Sequence, residues 1–235
     1  MPRRPAPPTP TATPRRRARG APAARQPGRP IRAEKADLRE ALIEAALHGF
    51  ATDGFAASTL RGIATAAGVT PAMAHYYFGD KAGLLAAVVE QRVAPLAGQI
   101  AARVGEAGPD PVAALRAFIH AYEGLAFEHP WVPRLVIREV LGEGGVLRET
   151  FARRFASVIG PALVARIRVA QAAGRIDPAL DAPKVALSLL SLVIFPVLSA
   201  PVVPTVLGVP IGREHVAALV AHQLQVFFSG VEARP

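Results

Sequence analysis

The sequence predicts an all-α protein, with a helix-turn-helix near its N-terminus and a larger helical domain behind it. Three observations carry this. After Pro30 the apolar residues recur at helical spacing and nowhere sustain strand alternation. Residues 59–85, TLRGIATAAGVTPAMAHYYFGDKAGLL, read as a short helix, a glycine turn, a second short helix ending in aromatics, and the opening of a third. From Val185 to Gly212 there is no charged residue, but Pro196, Pro201, Pro204 and Pro210 interrupt the run.

The elements follow in order. A first helix spans about Ala33 to Thr52, where Leu38, Leu42, Ala46 and Phe50 recur every four residues and Ile43 and Leu47 widen the apolar face. Asp53 and Gly54 end it, and Phe55 returns to the core. A second helix opens on Thr59 as N-cap and buries Leu60, Ile63 and Ala64. Ala67, Gly68 and Val69 make the turn. A third helix opens with Thr70 as N-cap and Pro71 at its first position, where the missing N–H costs nothing. It stops by Phe78 and Gly79. A fourth opens on Asp80, continues through Leu84, Leu85, Val88 and Val89, and is expected to kink at Pro95. Further helices are expected at about Pro111–Glu128, Val132–Leu141, Leu147–Ala173, Pro183–Ala200 and Arg213–Ser229, with a long loop over 201–212.

The charge is unevenly placed. Residues 1–32 hold nine arginines and no acid; taking those nine from the 27 basic residues leaves 18, equal to the 18 acids. The formal +9 therefore belongs to the tail, not to the folded surface. Nine of the 23 prolines lie there too, so residues 2–30 are expected to be disordered. The arm reads either as a solvated extension or as a phosphate-binding arm, with Arg15, Arg16, Arg17 and Arg19 as its densest part. It resembles neither a signal nor a transit peptide.

The absence of cysteine excludes disulfides and thiolate metal sites and fits a reducing cytoplasm. The six histidines show no metal-site spacing, and neither a glycine-rich phosphate loop nor a nucleophile elbow is present, so no catalytic residue, cofactor or metal is expected. The helix about Pro183 to Ala200 is marginal against the roughly 20 apolar residues a membrane span needs. Burial inside the protein or at an interface is the expectation, with no membrane partner.

A helix-turn-helix needs small residues where its helices touch, and a second helix whose outward side chains reach base edges. Ala64, Ala67 and Gly68 supply the close approach, while Ile63 and Val69 supply the packing. An ordinary helical hairpin has the same spacing, so the residue chemistry must decide. Thr59 and Thr70 sit at helix N-termini, where hydroxyls and backbone N–H groups both cap and meet phosphate. Arg61 reaches phosphate or guanine, or is simply solvated. His75 and Tyr76 are placed to hydrogen-bond phosphates while Tyr77 or Phe78 packs inward. Lys81, a cation in a first helical turn, opposes the helix dipole by a few tenths of a kcal/mol, roughly, unless a phosphate lies there. Met73 and Ala74 have only apolar contacts to offer, such as to thymine methyls. Residues 33–93 carry five basic residues against seven acids, so this module attracts DNA weakly by itself.

In register, Ala45, Ala46, Phe50, Gly54 and Phe55, then Thr59, Leu60, Arg61, Gly62, Ile63 and Ala64, then Ala67, Gly68 and Val69, then Tyr76, Tyr77 and Phe78, then Lys81 to Leu84 resemble the N-terminal domain of the tetracycline-repressor (TetR) family of transcriptional regulators. The likeness covers residues 36–92. It departs at Ala72, Met73 and Ala74, where the family commonly has a glycine and a threonine or leucine, and at His75, often a tyrosine. These positions are expected to face bases. The resemblance implies a set of DNA contacts at Thr59, Arg61, Thr70, Pro71, Ala72, Met73, His75, Tyr76 and Lys81.

It further implies an N-terminal three-helix helix-turn-helix DNA-binding domain (33–92) after an Arg/Pro-rich arm (1–32), and a C-terminal helical ligand-binding and dimerisation domain (93–232). A double-stranded DNA operator, an unidentified small-molecule effector and a homodimer partner are implied, the dimer forming through the last two long helices. The series Val216, Leu219, Val220, Leu224 and Phe227 suits that interface. Phe118, Tyr122, Trp131, Arg134, Arg138, Phe151 and Phe155 are candidate effector-pocket residues, each aromatic equally at home in plain core. Arg138 and Glu139 read as an exposed charge pair or a ligand anchor. The alternative is a helical ligand-binding or structural protein that has lost specific DNA binding.

Overall fold

The computed structural model describes residues 31–231, and every regular element among them is helical. The arginine arm and the contacts expected of it lie outside the described residues. Helix α1 (Ile31–Thr52) is followed by α2 (Leu60–Ala66) and α3 (Pro71–Phe78). A single long rod then runs through α4 (Lys81–Val88), a π-helical turn at Val89–Val93 and α5 (Ala94–Glu106). The expected break at Pro95 takes this form: the proline ring would collide with the Gln91 carbonyl in a regular helix, and the wider turn lies over that carbonyl.

The remaining elements are α6 (Pro111–Glu128), α7 (Trp131–Leu135) running into a π-helical stretch at Val136–Leu141, α8 (Arg148–Phe151) running through another at Ala152–Ala156 into α9 (Ser157–Ala172), then α10 (Ala182–Ser199), α11 (Val203–Leu207) and α12 (Val216–Val231). The segment expected to be an unbroken loop over 201–212 thus contains one short helix, opened by Pro204 in its first turn.

Two hydrophobic clusters hold the chain. The first gathers Leu42, Ile43, Ala46, Phe50, Ile63 and Leu84 with Leu135, Val140, Leu147 and Phe155. Residues from beyond position 130 therefore complete the core under the helix-turn-helix. The second joins Leu115 and Ile119 of α6 to Ile167 of α9, Val185 and Leu189 of α10, and Phe227 and Phe228 of α12. Each such fully buried side chain contributes roughly 1.5–3 kcal/mol relative to exposure.

Helix α12 corrects an expectation. Val220 and Phe227 of its apolar series are buried in the chain's own core, and Val216 and Leu224 pack against it. The outward face of α12 is Ala217, Ala221, Gln225 and Val226, mostly small or polar. Helix α10 is two-faced: Val185, Ala186, Leu189 and Val193 point inward, while Leu187 and Phe195 are about two-thirds exposed (64% and 65%). Two helical stretches, Arg148–Ala172 and Ala182–Ser199, are long and apolar enough to cross a bilayer by length and composition. Both contribute buried residues to the cores just described.

Candidate nucleic-acid interface

Local chemistry sets the angle of the helix-turn-helix. The Thr59 side chain accepts from the Gly62 N–H at 3.0 Å, Thr70 accepts from Met73 N–H at 3.4 Å, and the Asp80 carboxylate accepts from Gly83 N–H at 2.7 Å. Three consecutive helices are thus capped by the residue directly preceding each, worth about 1 kcal/mol apiece. Gly68 turns the chain with φ +69°, a conformation other residues strain to adopt. Ala64 and Ala74 touch the core with no exposure at all, which lets α2 and α3 approach closely.

On this frame Thr59, Arg61, Thr70, Pro71, Ala72, His75 and Tyr76 are all exposed, and Tyr76 shows 72% of its surface. They lie at the start of α2 and along the outer face of α3. The Arg61 guanidinium has no hydrogen bond or ion pair among the described residues, so its five donors are open to a partner. The His75 Nδ1 lies 2.6 Å from the Gly79 carbonyl, so Nδ1–H donates there and Nε2 faces out. Met73 is half-buried. Ala74 corrects an expectation: it is buried against the core, so it makes no contact with thymine. Tyr77 and Phe78 are both half-buried, and the Arg39 guanidinium sits 5.2 Å from the Phe78 ring centre.

Lys81 is accounted for within the chain. Its ammonium donates to the carbonyls of Phe55 (2.6 Å) and Ser58 (2.8 Å) and lies 4.2 Å from the Phe55 ring centre. The cation near a helix start is held by two carbonyl dipoles and an aromatic face, so it needs no phosphate to be stable there. One of its three donors remains for an outside acceptor.

The loop that Lys81 grips is gripped again from the far side. Glu139, only 5% exposed, accepts the Phe55 N–H through Oε1 at 2.7 Å and the Val146 N–H through Oε2 at 3.4 Å. Arg138 donates through its guanidinium to the Asp53 carbonyl at 2.6 Å. Gly54, at φ +92°, lies between them, and a Cβ there would sit 3.1 Å from Arg138 Cδ and 3.3 Å from Glu139 Oε1. The expected exposed pair Arg138 and Glu139 is instead a clamp from the Val136–Leu141 stretch onto the α1–α2 loop. The sequence held a signal for it: Glu139 stands four residues after buried Leu135, which places a lone acid on an inward face.

The effector-pocket candidates divide. Trp131, Phe151 and Phe155 line one cavity of about 70 Å³, closed on its other side by Val89 and Val93. Phe118 and Tyr122 belong to the second core, stacked at 6.1 Å between ring centres, and do not reach that cavity. Arg134 and Arg138 are exposed and do not line it. The lower core hides a polar pair that the sequence reading missed, although Leu115, Ile119 and Glu123 follow at intervals of four and all are fully buried. The Gln223 amide donates to Glu123 Oε1 at 2.8 Å and to the Leu192 carbonyl at 2.9 Å. Burial pushes the Glu123 carboxyl up to about 7, against the opposing pull of the Gln223 hydrogen bond. Burial, with the Glu123 charge second, pushes the Tyr122 phenol up to about 12.

Comparison with known proteins agrees with this architecture. Residues 42–88 match the family described as bacterial regulatory proteins, tetR family. The chain is 45% identical over 58 residues to the HTH-type transcriptional regulator BetI of Rhizobium meliloti, covering 25% of this chain and 29% of that one. It is 38% identical over 81 residues to BetI of Stenotrophomonas maltophilia, covering 34% and 41% respectively. The chain thus matches less than half the length of these relatives. In fold, the ketosteroid transcriptional regulator KstR2 of Mycobacterium tuberculosis superposes with a TM-score of 0.66 at 18% identity over 83% of this chain and 95% of that one. The fatty acid degradation regulator FadR of Bacillus halodurans does so with a TM-score of 0.66 at 17% identity over 84% and 97%. By sequence through residues 42–88, and by fold over most of the chain, this protein is similar to the bacterial regulatory proteins of the TetR family.

Proposed function

We propose that the protein is a ligand-responsive, DNA-binding transcriptional regulator of the cytoplasm. In this reading it is a repressor that binds a palindromic operator as a dimer and is released by a small molecule. The observation that carries it is the exposed face built by Thr59, Arg61, Thr70, Pro71, Ala72, His75 and Tyr76 on two capped helices, α2 and α3. Half-buried Met73 and the remaining Lys81 donor border that face. A helix so mounted presents base-reading and phosphate-positioning groups together. In this reading the face acts as a binding module.

Dimerisation is assigned to α10 and α12. The outward Leu187 and Phe195 of α10 border an open, shallow groove with Leu192 and Pro196. Helix α12 packs against α10, and its small outward residues Ala217 and Ala221 would let a second copy approach closely. No membrane is needed to cover these side chains. We divide the chain into an arm (1–32), a DNA-binding domain (33–92) and an effector and dimerisation domain (93–232), with the last boundary falling inside the Val89–Val93 turn of a continuous rod.

The arm supplies phosphate affinity that the nearly charge-balanced helix-turn-helix lacks, through Arg15, Arg16, Arg17 and Arg19. The experiment is a fluorescence anisotropy titration, across salt concentrations, with duplexes enriched by the protein from a random pool. Enrichment of a two-fold symmetric sequence supports the reading. A chain lacking residues 2–30 should bind that sequence more weakly and with a flatter salt dependence. Failure to enrich any sequence favours the other reading, a helical ligand-binding protein without specific DNA recognition.

A further inference from the structure

Each of the three π-helical turns among the described residues contributes to the wall of one cavity. Val89 and Val93 come from the first, Val136 and Val140 from the second and Phe155 from the third, and Trp131 precedes the second by one turn. Such turns carry an extra residue against the helical repeat and concentrate at functional sites. The wall is apolar except for Thr150. At about 70 Å³ the cavity holds a few heavy atoms at most, so any larger occupant must push its walls apart.

The wall that would move is also the clamp. Within Val136–Leu141, Val136 and Val140 face the cavity, while Arg138 and Glu139 hold Asp53 and Phe55. The held loop leads within four residues to Thr59, the cap of α2. Its other end is fixed by Lys81 at the start of α4. Because Lys81 anchors that loop, displacement of Val136–Leu141 pulls Glu139 away from it and breaks the bond between Phe55 N–H and Glu139.

We propose that this cavity is the effector site, that it takes a compact uncharged hydrocarbon group, and that Arg138 and Glu139 transmit its occupancy to the helix-turn-helix. The ligand class follows from the lining: a charged group would be desolvated there with no counter-charge and no set of donors. The coupling follows from one short stretch carrying both wall and clamp, because occupant and loop then compete for its position. The proposal rests on the DNA-binding reading only for its consequence, not for the coupling itself.

The test uses the full chain, with toluene as the neutral probe and benzoate as its charged counterpart. Trp131, the single tryptophan, reports entry by fluorescence. Toluene should shift its emission and benzoate should not; the reverse, or no response to either, overturns the ligand class. Val136→Phe fills the cavity permanently. Both toluene and Val136→Phe should raise hydrogen exchange at the Phe55 amide at least tenfold while leaving the Gly62 amide unchanged. Unchanged exchange at Phe55 overturns the coupling whether or not any DNA is bound. On an enriched duplex, Val136→Phe should weaken binding at least tenfold, and by less than threefold once Arg138→Met has loosened the clamp. Equal losses in both backgrounds would also sink the coupling. Arg138 is exposed, so its replacement leaves the core intact even if Val136→Phe folds poorly. If no duplex is enriched, the DNA reading fails alone, and the Phe55 exchange still decides the coupling.

Discussion

The Glu139 carboxylate accepts the Phe55 N–H at 2.7 Å across 84 positions of sequence. That single bond ties the loop entering the helix-turn-helix to the helical body. Lys81 completes the hold from the opposite side, through the carbonyl of the same Phe55. The α1–α2 loop is therefore a fixed bracket and not a free connection.

Lys81→Met should show how much of that bracket the ammonium supplies. Two charge-assisted bonds and an aromatic contact are lost, while the aliphatic stem is kept. A stability loss of about 2 kcal/mol is expected, or roughly 4–8 °C in Tm for a chain this long. Thermal unfolding followed by circular dichroism measures it. No shift in Tm would mean that the two carbonyls are equally well served by water.

Arg61 and Thr59 should part company in a paired experiment. Arg61→Ala should leave stability within about 0.5 kcal/mol, because the exposed guanidinium makes no hydrogen bond or ion pair among the described residues. Its effect should appear in DNA binding instead. Contact with a guanine costs about 1–3 kcal/mol and relaxes one base position, whereas contact with a phosphate lowers the salt slope by about one. Thr59→Ala should weaken DNA binding and also cost about 1 kcal/mol of stability through the lost Gly62 bond. Undiminished affinity in Arg61→Ala would remove that residue from the interface.

Glu123 predicts a pH dependence. Its folded pKa stands near 7, above the ordinary 4.5, so the folded state holds its proton more tightly than the unfolded chain. The stabilisation is complete below about pH 4.5 and is lost as pH rises through 7, a change on the order of 3 kcal/mol. Urea midpoints should accordingly fall between pH 5 and 8 by more in the native protein than in Glu123→Gln. Parallel pH profiles in the two proteins would exclude Glu123 as the source.

The dimer assignment is open to one charge. Phe195→Glu, on the outward face of α10, should weaken self-association by about 2 kcal/mol or more and lower operator affinity with it. Sedimentation velocity over a concentration series reads the first and anisotropy the second. A variant that sediments as the native protein does would place the interface elsewhere.

The helix-turn-helix was legible because its determinants are local. Thr59, Thr70 and Asp80 act within three residues of themselves, and Gly68 acts on its own backbone. Positions three and four apart in an alanine-rich helix carry little contrast, however, and Ala74 was turned outward in the sequence reading for that reason. The α12 series failed differently. Periodicity identifies an apolar stripe but not what covers it, and here the chain's own α6 and α10 do so. Residue type alone nominates the effector candidates, yet Phe118 and Phe155 lie in different cores. Glu139 stands four residues after Leu135 and Glu123 four after Ile119, a spacing that the sequence reading passes over, and only the folded chain shows that both are buried and what each one binds.

The first core has a consequence for how such a protein can be rearranged. Leu135, Val140, Leu147 and Phe155 are built into the layer beneath the helix-turn-helix. A hybrid made by grafting residues 31–93 onto another body would leave Phe50, Leu84 and Val88 facing foreign side chains. In the proposed interface, single substitutions at exposed Arg61, Ala72 and Tyr76 leave that layer untouched, whereas exchange of the head as a unit would disrupt it.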